Sequence, residues 1–144
     1  MHSADVVPKP TASSVPLVIT GSSQQSMRYN AGHGDAWLTY PREFTAQRRA
    51  VAQWRDLVVE TSGSVGARKP FAQSLRVDLA EDPHEEASPL DFGFRIGADG
   101  SSHLRELEGI GVDHVLLGPA SRTRSVDEVI DELAEHVVPH FPAG

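Results

Sequence analysis

Short apolar, β-branched runs alternate with segments of helical period along this chain, and only a few polar or Gly-containing residues separate one from the next. That alternation constrains the fold more than any other feature, because parallel strands need a long crossover and a helix is its usual form. The series reads strand 17–20, helix 23–31, strand 36–39, helix 42–60 and strand 71–79. A polar, acidic, Pro-punctuated segment, 80–89, follows, then an extended piece over 90–96, a helix over 101–108, a strand over 112–117 and a last helix. Residues 1–15, rich in Pro, Ser and Ala, read as an extended lead-in, which leaves 16–142 as the folded unit.

Two of the helices show which side they bury. Ser125-Val-Asp-Glu128 is a capping box, and after it Val126, Val129, Ile130, Leu133 and Val137 fall on one side with Asp127, Asp131, Glu132 and Glu135 facing water. The longer helix repeats the logic with Phe44, Val51, Trp54, Leu57 and Val58 together and Arg48, Arg49, Arg55 and Asp56 elsewhere. Both faces want a sheet. The class is α/β, with parallel strands joined by right-handed crossovers. About four strand–helix units are present, which is half of a (β/α)8 TIM barrel. Half a barrel leaves two unpaired sheet edges, an invitation to another chain. No internal repeat is evident.

Composition narrows the partners. A chain of 144 residues matches one domain, and at that size about 70% of the unfolded surface is buried. A net charge of -7 argues against the broad basic surface that nucleic acid requires. With no cysteine there is no disulfide, thiolate metal site or Cys nucleophile, and a reducing compartment, the cytoplasm, is the expectation. No apolar run approaches the ~20 residues that span a bilayer, and the N-terminus has no signal-peptide pattern, so no membrane partner is expected.

The chemistry concentrates at Pro16-Leu-Val-Ile-Thr-Gly-Ser-Ser-Gln-Gln-Ser26, where an apolar run stops at a Gly-Ser-Ser turn ahead of a helix. The first N–H groups of a helix lack intrahelical partners and lie at the positive end of its dipole, so an anion fits there. Gly21 permits a tight turn or close approach of a ligand, while Ser22 and Ser23 either cap the helix or offer hydroxyls to phosphate oxygens. An ordinary strand-to-helix turn with a serine cap has the same local pattern.

Other constellations are weaker. His33 with Asp35, His84 with Glu85 and Glu86, and His114 with Asp113 lack the helical spacing of a metal site, and Pro139 separates His136 from His140. No metal is expected. Gly21-Ser-Ser-Gln-Gln lacks the second Gly of a nucleophile elbow, which argues against a serine hydrolase.

Val15-Pro-Leu-Val-Ile-Thr-Gly-Ser-Ser-Gln-Gln-Ser26, Gly34-Asp-Ala-Trp-Leu-Thr-Tyr-Pro41, Lys69-Pro-Phe-Ala-Gln-Ser74, Gly111-Val-Asp-His-Val115 and Glu135-His-Val-Val-Pro-His-Phe-Pro142 together resemble, in order and spacing, the luciferase-like monooxygenase family. That family comprises flavin- or deazaflavin-dependent TIM barrels, and the resemblance is to its C-terminal half. It implies an oxidoreductase or monooxygenase using FMN or a deazaflavin, with the cofactor phosphate at Gly21, Ser22 and Ser23. It would put Tyr40 at the same barrel mouth, with Trp37 either beside it or in the core. Arg95, between Gly93 and Gly97, would either meet an anion of the cofactor or face solvent near the acidic loop 80–86.

The family's N-terminal half supplies the contacts to the flavin ring, so the resemblance implies a truncated or split product. Its partners would be the flavin and either a second copy of the chain or a separate N-terminal half-barrel. The alternative is a non-catalytic half-barrel module or remnant that dimerises or docks on another subunit. No residue stands out as a catalytic acid or base.

Overall fold

A computed structural model describes residues 8–22, 24–99, 101–120 and 123–142. Its elements are β1 (Val18–Thr20), α1 (Met27–His33), β2 (Ala36–Thr39), α2 (Phe44–Ser62), β3 (Phe71–Leu79), β4 (Ser88–Leu90), β5 (Gly93–Ile96), α3 (Ser101–Gly109), β6 (His114–Pro119) and α4 (Val126–His136). A 3₁₀ turn, Val138–His140, follows α4. Strands β1, β2, β3 and β6 are parallel, and each leads to a helix, β3 by way of β4 and β5. The fold is half of a TIM barrel.

Register fixes the order of the strands. β6 pairs with β3 from Ala72 to Val77, overlapping both the β2 pairing at Phe71 to Gln73 and the β5 pairing at Arg76 to Leu79. A strand has two edges, so β2 and β5 share one edge of β3 and β6 takes the other. The barrel strands therefore run β1-β2-β3-β6, with β5 completing the far half of the β2-side edge.

The piece expected to be simply extended over 90–96 is instead the second half of a hairpin. β4 pairs antiparallel with β5, and β5 lies parallel to β3. Its turn carries Phe92 at φ +61°, a left-handed backbone that an aromatic side chain rarely adopts. Gly93 follows because nothing else fits: a Cβ there would lie 1.8 Å from the Arg76 carbonyl oxygen.

The first helix also differs from expectation. It begins at Met27 rather than residue 23, and its cap is Ser26, whose Oγ accepts from the Tyr29 N–H at 3.1 Å. Ser22 does not cap it, and Ser23 lies outside the described residues. The physical cause is the turn that precedes it. Gly21 at φ +59° and Gln24 at φ +63° are both left-handed, so the chain reverses before helical geometry can start.

Helices cover one side of the sheet. Trp37 of β2 packs against Trp54 of α2, ring centroids 5.5 Å apart, and meets Phe71 of β3 edge-on at 5.3 Å. These rings and Val58 form one core cluster; Leu79, Val129, Leu133 and Val137 anchor a second under α4. Burying a side chain such as Phe71 contributes about 1.5–3 kcal/mol, and Phe71 is fully enclosed. The buried stripes are narrower than the sequence pattern implies. Phe44 is 39% exposed at the first turn of α2, and Val126 and Ile130 stand half-exposed beside the Val129–Leu133–Val137 row. One residue is about a 100° step around a helix, which carries Ile130 off the stripe.

Candidate functional site

The opposite side of the sheet, which would face a barrel interior, is open. Along β3 the odd residues Leu75, Val77 and Leu79 are buried under helices, whereas Ser74 and Arg76 point the other way. β6 repeats the pattern with Val115 and Leu117 inward and Leu116, 50% exposed, on the open face.

At the carboxyl ends of β1, β2 and β3 this face deepens into a cleft of about 530 Å³ lined by Thr20, Gly21, Ser22, Leu38, Thr39, Tyr40 and Ser74. Five of those seven residues carry hydroxyls. Hydroxyls donate to phosphate oxygens, but none supplies a positive charge. Gly21 is shaped for this position. Its left-handed backbone suits glycine, and a Cβ on it would meet nothing within 4 Å, so the main chain borders open space.

The Gly21 turn is held from behind. The Trp37 indole Nε1 donates to the Gly21 carbonyl at 2.7 Å, and the Asn30 amide reaches the same oxygen at 3.4 Å. The Gly21 N–H in turn donates to the Leu38 carbonyl at 2.8 Å. Trp37, 3% exposed, is thus a core residue rather than a pocket wall, and its polar end fixes the loop that borders the cleft. Asn30 is fully buried with its Oδ1 left without a hydrogen-bond partner.

Of the residues singled out in the sequence, Gly21, Ser22 and Tyr40 come together at this cleft. Arg95 lies elsewhere. Its Nη1 donates to Asp78 at 2.8 Å and its Nε to Glu85 at 2.7 Å, and these two carboxylates raise its pKa further above the usual range for arginine. Instead of standing free in solvent near the acidic loop, as one reading of the sequence has it, the guanidinium is tied to Asp78 of β3 and to Glu85 of that loop.

The sequence reading passed over Ser74, Arg76 and Phe92. A signal for the first two existed: Ser74-Leu-Arg-Val-Asp-Leu79 alternates polar and apolar residues, the mark of a strand with one open face. Phe92, 66% exposed, leans on Tyr40, 64% exposed, with ring centroids 5.8 Å apart. Two exposed aromatics in contact form a wall at the edge of the cleft.

Among the described residues no group of three His, Asp or Glu side chains is placed to hold a metal, and no helix is long and apolar enough to cross a membrane.

No family model matches the chain. In sequence it is similar to the tryptophan synthase alpha chain of Gloeobacter violaceus (strain ATCC 29082 / PCC 7421), with 29% identity over 122 residues, 80% of this chain and 44% of that protein. In structure it is similar to an F420-dependent secondary alcohol dehydrogenase in complex with an F420-acetone adduct, with a TM-score of 0.69 at 14% identity over 94% of this chain. It is also similar to the coenzyme F420-dependent tetrahydromethanopterin reductase of Methanopyrus kandleri, with a TM-score of 0.68 at 12% identity over 89% of this chain. The chain spans 51% of each of those two structures and 44% of the curated relative. The fold shared with those two structures is that of a TIM barrel, of which this chain forms half.

Proposed function

We propose that this chain forms the C-terminal half of the coenzyme site of an oxidoreductase of the luciferase-like type, and that the coenzyme is a deazaflavin such as F420 or, in the second place, FMN. The observation that carries this reading is the hydroxyl-rich cleft beside the Gly21 turn, at the strand ends where TIM barrels place their active sites, on a fold held in common with two F420-dependent enzymes. Supporting it is the resemblance of the Gly21-Ser22-Ser23 turn to the family's phosphate-binding turn.

The donor set fits the phosphate end of such a coenzyme. In this reading Ser22, Ser23 and Ser74 offer hydroxyls to phosphate oxygens, and Gly21 lets the main chain approach. Tyr40 closes the cleft on the β2 side, and Trp37 holds the turn in register from the core. The bound coenzyme would supply hydride or electron transfer. The protein side of the site orients it and keeps water from it, and for that the cleft needs a second wall, from another chain or another segment.

The match to a tryptophan synthase alpha chain points to a different chemistry, one that predicts no F420 or FMN binding. A second reading, a non-catalytic half-barrel that docks on a partner, is favoured by the exposure of Val18 at 53% and Leu116 at 50% on the open face. Titration of the folded chain with F420 and, separately, with FMN, followed by coenzyme fluorescence, discriminates. Saturable binding that Ser22→Ala weakens severalfold supports the coenzyme site; a folded chain that binds neither leaves the docking module.

A further inference from the structure

Arg76 sits on the open face of the sheet, outside the ion pairs that hold five of the other arginines. Arg28, Arg55, Arg68, Arg95 and Arg124 each meet a carboxylate. Among the described residues Arg76 has no ion pair and no side-chain hydrogen bond, although it is exposed in a strand at the centre of the sheet. Its backbone is firmly placed: the Arg76 N–H donates to the Phe92 carbonyl at 3.0 Å.

The cross-strand neighbours explain the open space around it. Arg76 stands opposite Gly93 on β5 and Gly118 on β6, so neither flanking strand offers a side chain beside the guanidinium. Packing requires the first glycine, as shown above, but not the second. A Cβ at Gly118 would meet only the Leu75 carbonyl oxygen, at an ordinary 3.9 Å, and the residue is not left-handed. The fold would accept a side chain at 118, and its absence keeps a groove clear. That groove, about 460 Å³, is lined by Tyr40, Ser74, Arg76, Phe92, Leu116 and Gly118 among others.

The aromatic wall carries a cost that points the same way. Phe92 occupies a left-handed backbone with its ring exposed and resting on Tyr40. Such strain costs about 1–3 kcal/mol and gathers where a ligand or a switch uses it. The turn presents an apolar ring to the groove instead of burying it.

We infer that the groove between β3, β6 and the β4–β5 turn binds an organic anion with a flat apolar body, its carboxylate or phosphate on the Arg76 guanidinium and its body between Leu116 and the Tyr40–Phe92 pair. A planar guanidinium with free donors is suited to a bidentate anion, and exposed rings stack on flat bodies. The groove shares Tyr40 and Ser74 with the coenzyme cleft, which makes this ligand the reaction partner of the coenzyme. That last step rests on the proposed function; the binding site itself does not.

The test is NMR titration of the full chain with 2-naphthoate, 2-naphthyl phosphate and the neutral 2-naphthamide. We expect at least one of the two anions to bind better than the amide by roughly tenfold, as a charge-assisted hydrogen bond implies, with shifts at Phe92, Leu116 and Gly118. Which anion wins identifies the head group. Arg76→Gln erases the preference while weak binding of the ring remains, and Gly118→Leu fills the groove and abolishes both. An anion preference that survives Arg76→Gln, equal binding of all three probes, or shifts that map elsewhere overturn the inference; if Gly118→Leu fails to fold, Arg76→Gln decides alone. Where F420 or FMN also binds, it leaves the probe in place if the groove belongs to the reaction partner, and displacement overturns that assignment. A chain that binds neither coenzyme but retains the Arg76-dependent preference sinks the proposed function and leaves the groove standing.

Discussion

The Gln47 side-chain amide donates through Nε2 to Gln73 Oε1 at 2.7 Å, joining α2 to β3 between two side chains that are 1% and 2% exposed. A buried amide pair of this kind is worth little net when intact and much more when one partner is removed, because the survivor loses water without regaining a hydrogen bond. Gln73→Leu is expected to destabilise the fold by about 2 kcal/mol, and Gln47→Leu added to it recovers part of the loss. Urea unfolding of the two single variants and the double variant closes the cycle; additive losses would show that the two amides do not act as a pair.

Asp113 ties the ends of three segments. Its Oδ2 accepts from the Phe71 N–H at 2.7 Å and from Arg55 at 2.6 Å, and Oδ1 accepts from Arg68. Burial pushes this carboxyl up, but the hydrogen bonds from Arg55, Phe71 and Arg68 together outweigh it and leave the pKa below its usual value. Because the folded pKa lies below the unfolded one, the contribution is complete above the ordinary carboxylate range, about pH 4, and drains away as the pH falls through the folded value. Asp113→Asn should cost about 1.5 kcal/mol at neutral pH, since it weakens charge-assisted hydrogen bonds while Arg55 keeps the Lys69 and Gly111 carbonyls, and should flatten the acid limb of a stability-against-pH curve. An acid limb as steep as in the parent would assign that slope to other carboxylates.

The alternation of elements was legible because it rests on local pattern. Strands Ala36–Thr39 and Phe71–Leu79 and the Ser125–Glu128 box lie where their sequence puts them. What was illegible is set by tertiary context. Three serines precede α1 and each is a competent cap, and only the left-handed turn at Gln24 selects Ser26. The hairpin at Phe92 lacks the Asn-Gly or Asp-Gly dipeptide that announces such turns. Nothing in the sequence marks Gln47, Gln73, Asp113 or Arg55 as paired, because the partner of each is distant in sequence. At the site, Gly21, Ser22 and Tyr40 were readable as residues of strand ends. Arg76 was readable only as a residue of an open strand face; its lack of a partner is a property of the fold.

Trp37 links the core to the cleft. Replacing it with Phe keeps most of the apolar area but removes the donor to the Gly21 carbonyl, leaving only the longer Asn30 contact. A loss of about 1 kcal/mol in stability is expected for one hydrogen bond. If the cleft holds a coenzyme phosphate, its affinity falls severalfold as well. Thermal melts and the coenzyme titration measure the two effects separately; unchanged affinity in a folded Trp37→Phe protein would show that the position of the turn does not govern binding.

His103 is held against Phe94, ring centroids 4.0 Å apart, with Nε2 buried and without a partner. Burial lowers its pKa below the usual histidine value, against a smaller upward pull from Glu106. The unfolded chain therefore binds the proton more readily, and stability falls as the pH drops below about 6.5. His103→Gln, similar in size and unable to charge, should remove that part of the slope between neutral pH and pH 5, well above the region where Asp113 acts. A slope that persists in the variant would place it on the exposed histidines.

The open face decides how the chain behaves alone. Val18 at 53% exposure, Leu116 at 50% and Tyr40 at 64% stand exposed on a sheet whose β1 and β6 each lack a neighbour on one side among the described residues. Unpaired edges beside an apolar face favour association through strand pairing, face contact or both. The purified chain is therefore expected to exceed monomer mass in light scattering as its concentration rises. Val18→Lys puts a charge on the edge strand, where it opposes both modes, whereas Leu116→Glu leaves the β1 edge intact and charges only the face. If Val18→Lys yields monomer and Leu116→Glu does not, association runs through the β1 edge. If both do, the apolar face itself is the contact, and the chain meets its partner as one half of a barrel meets the other.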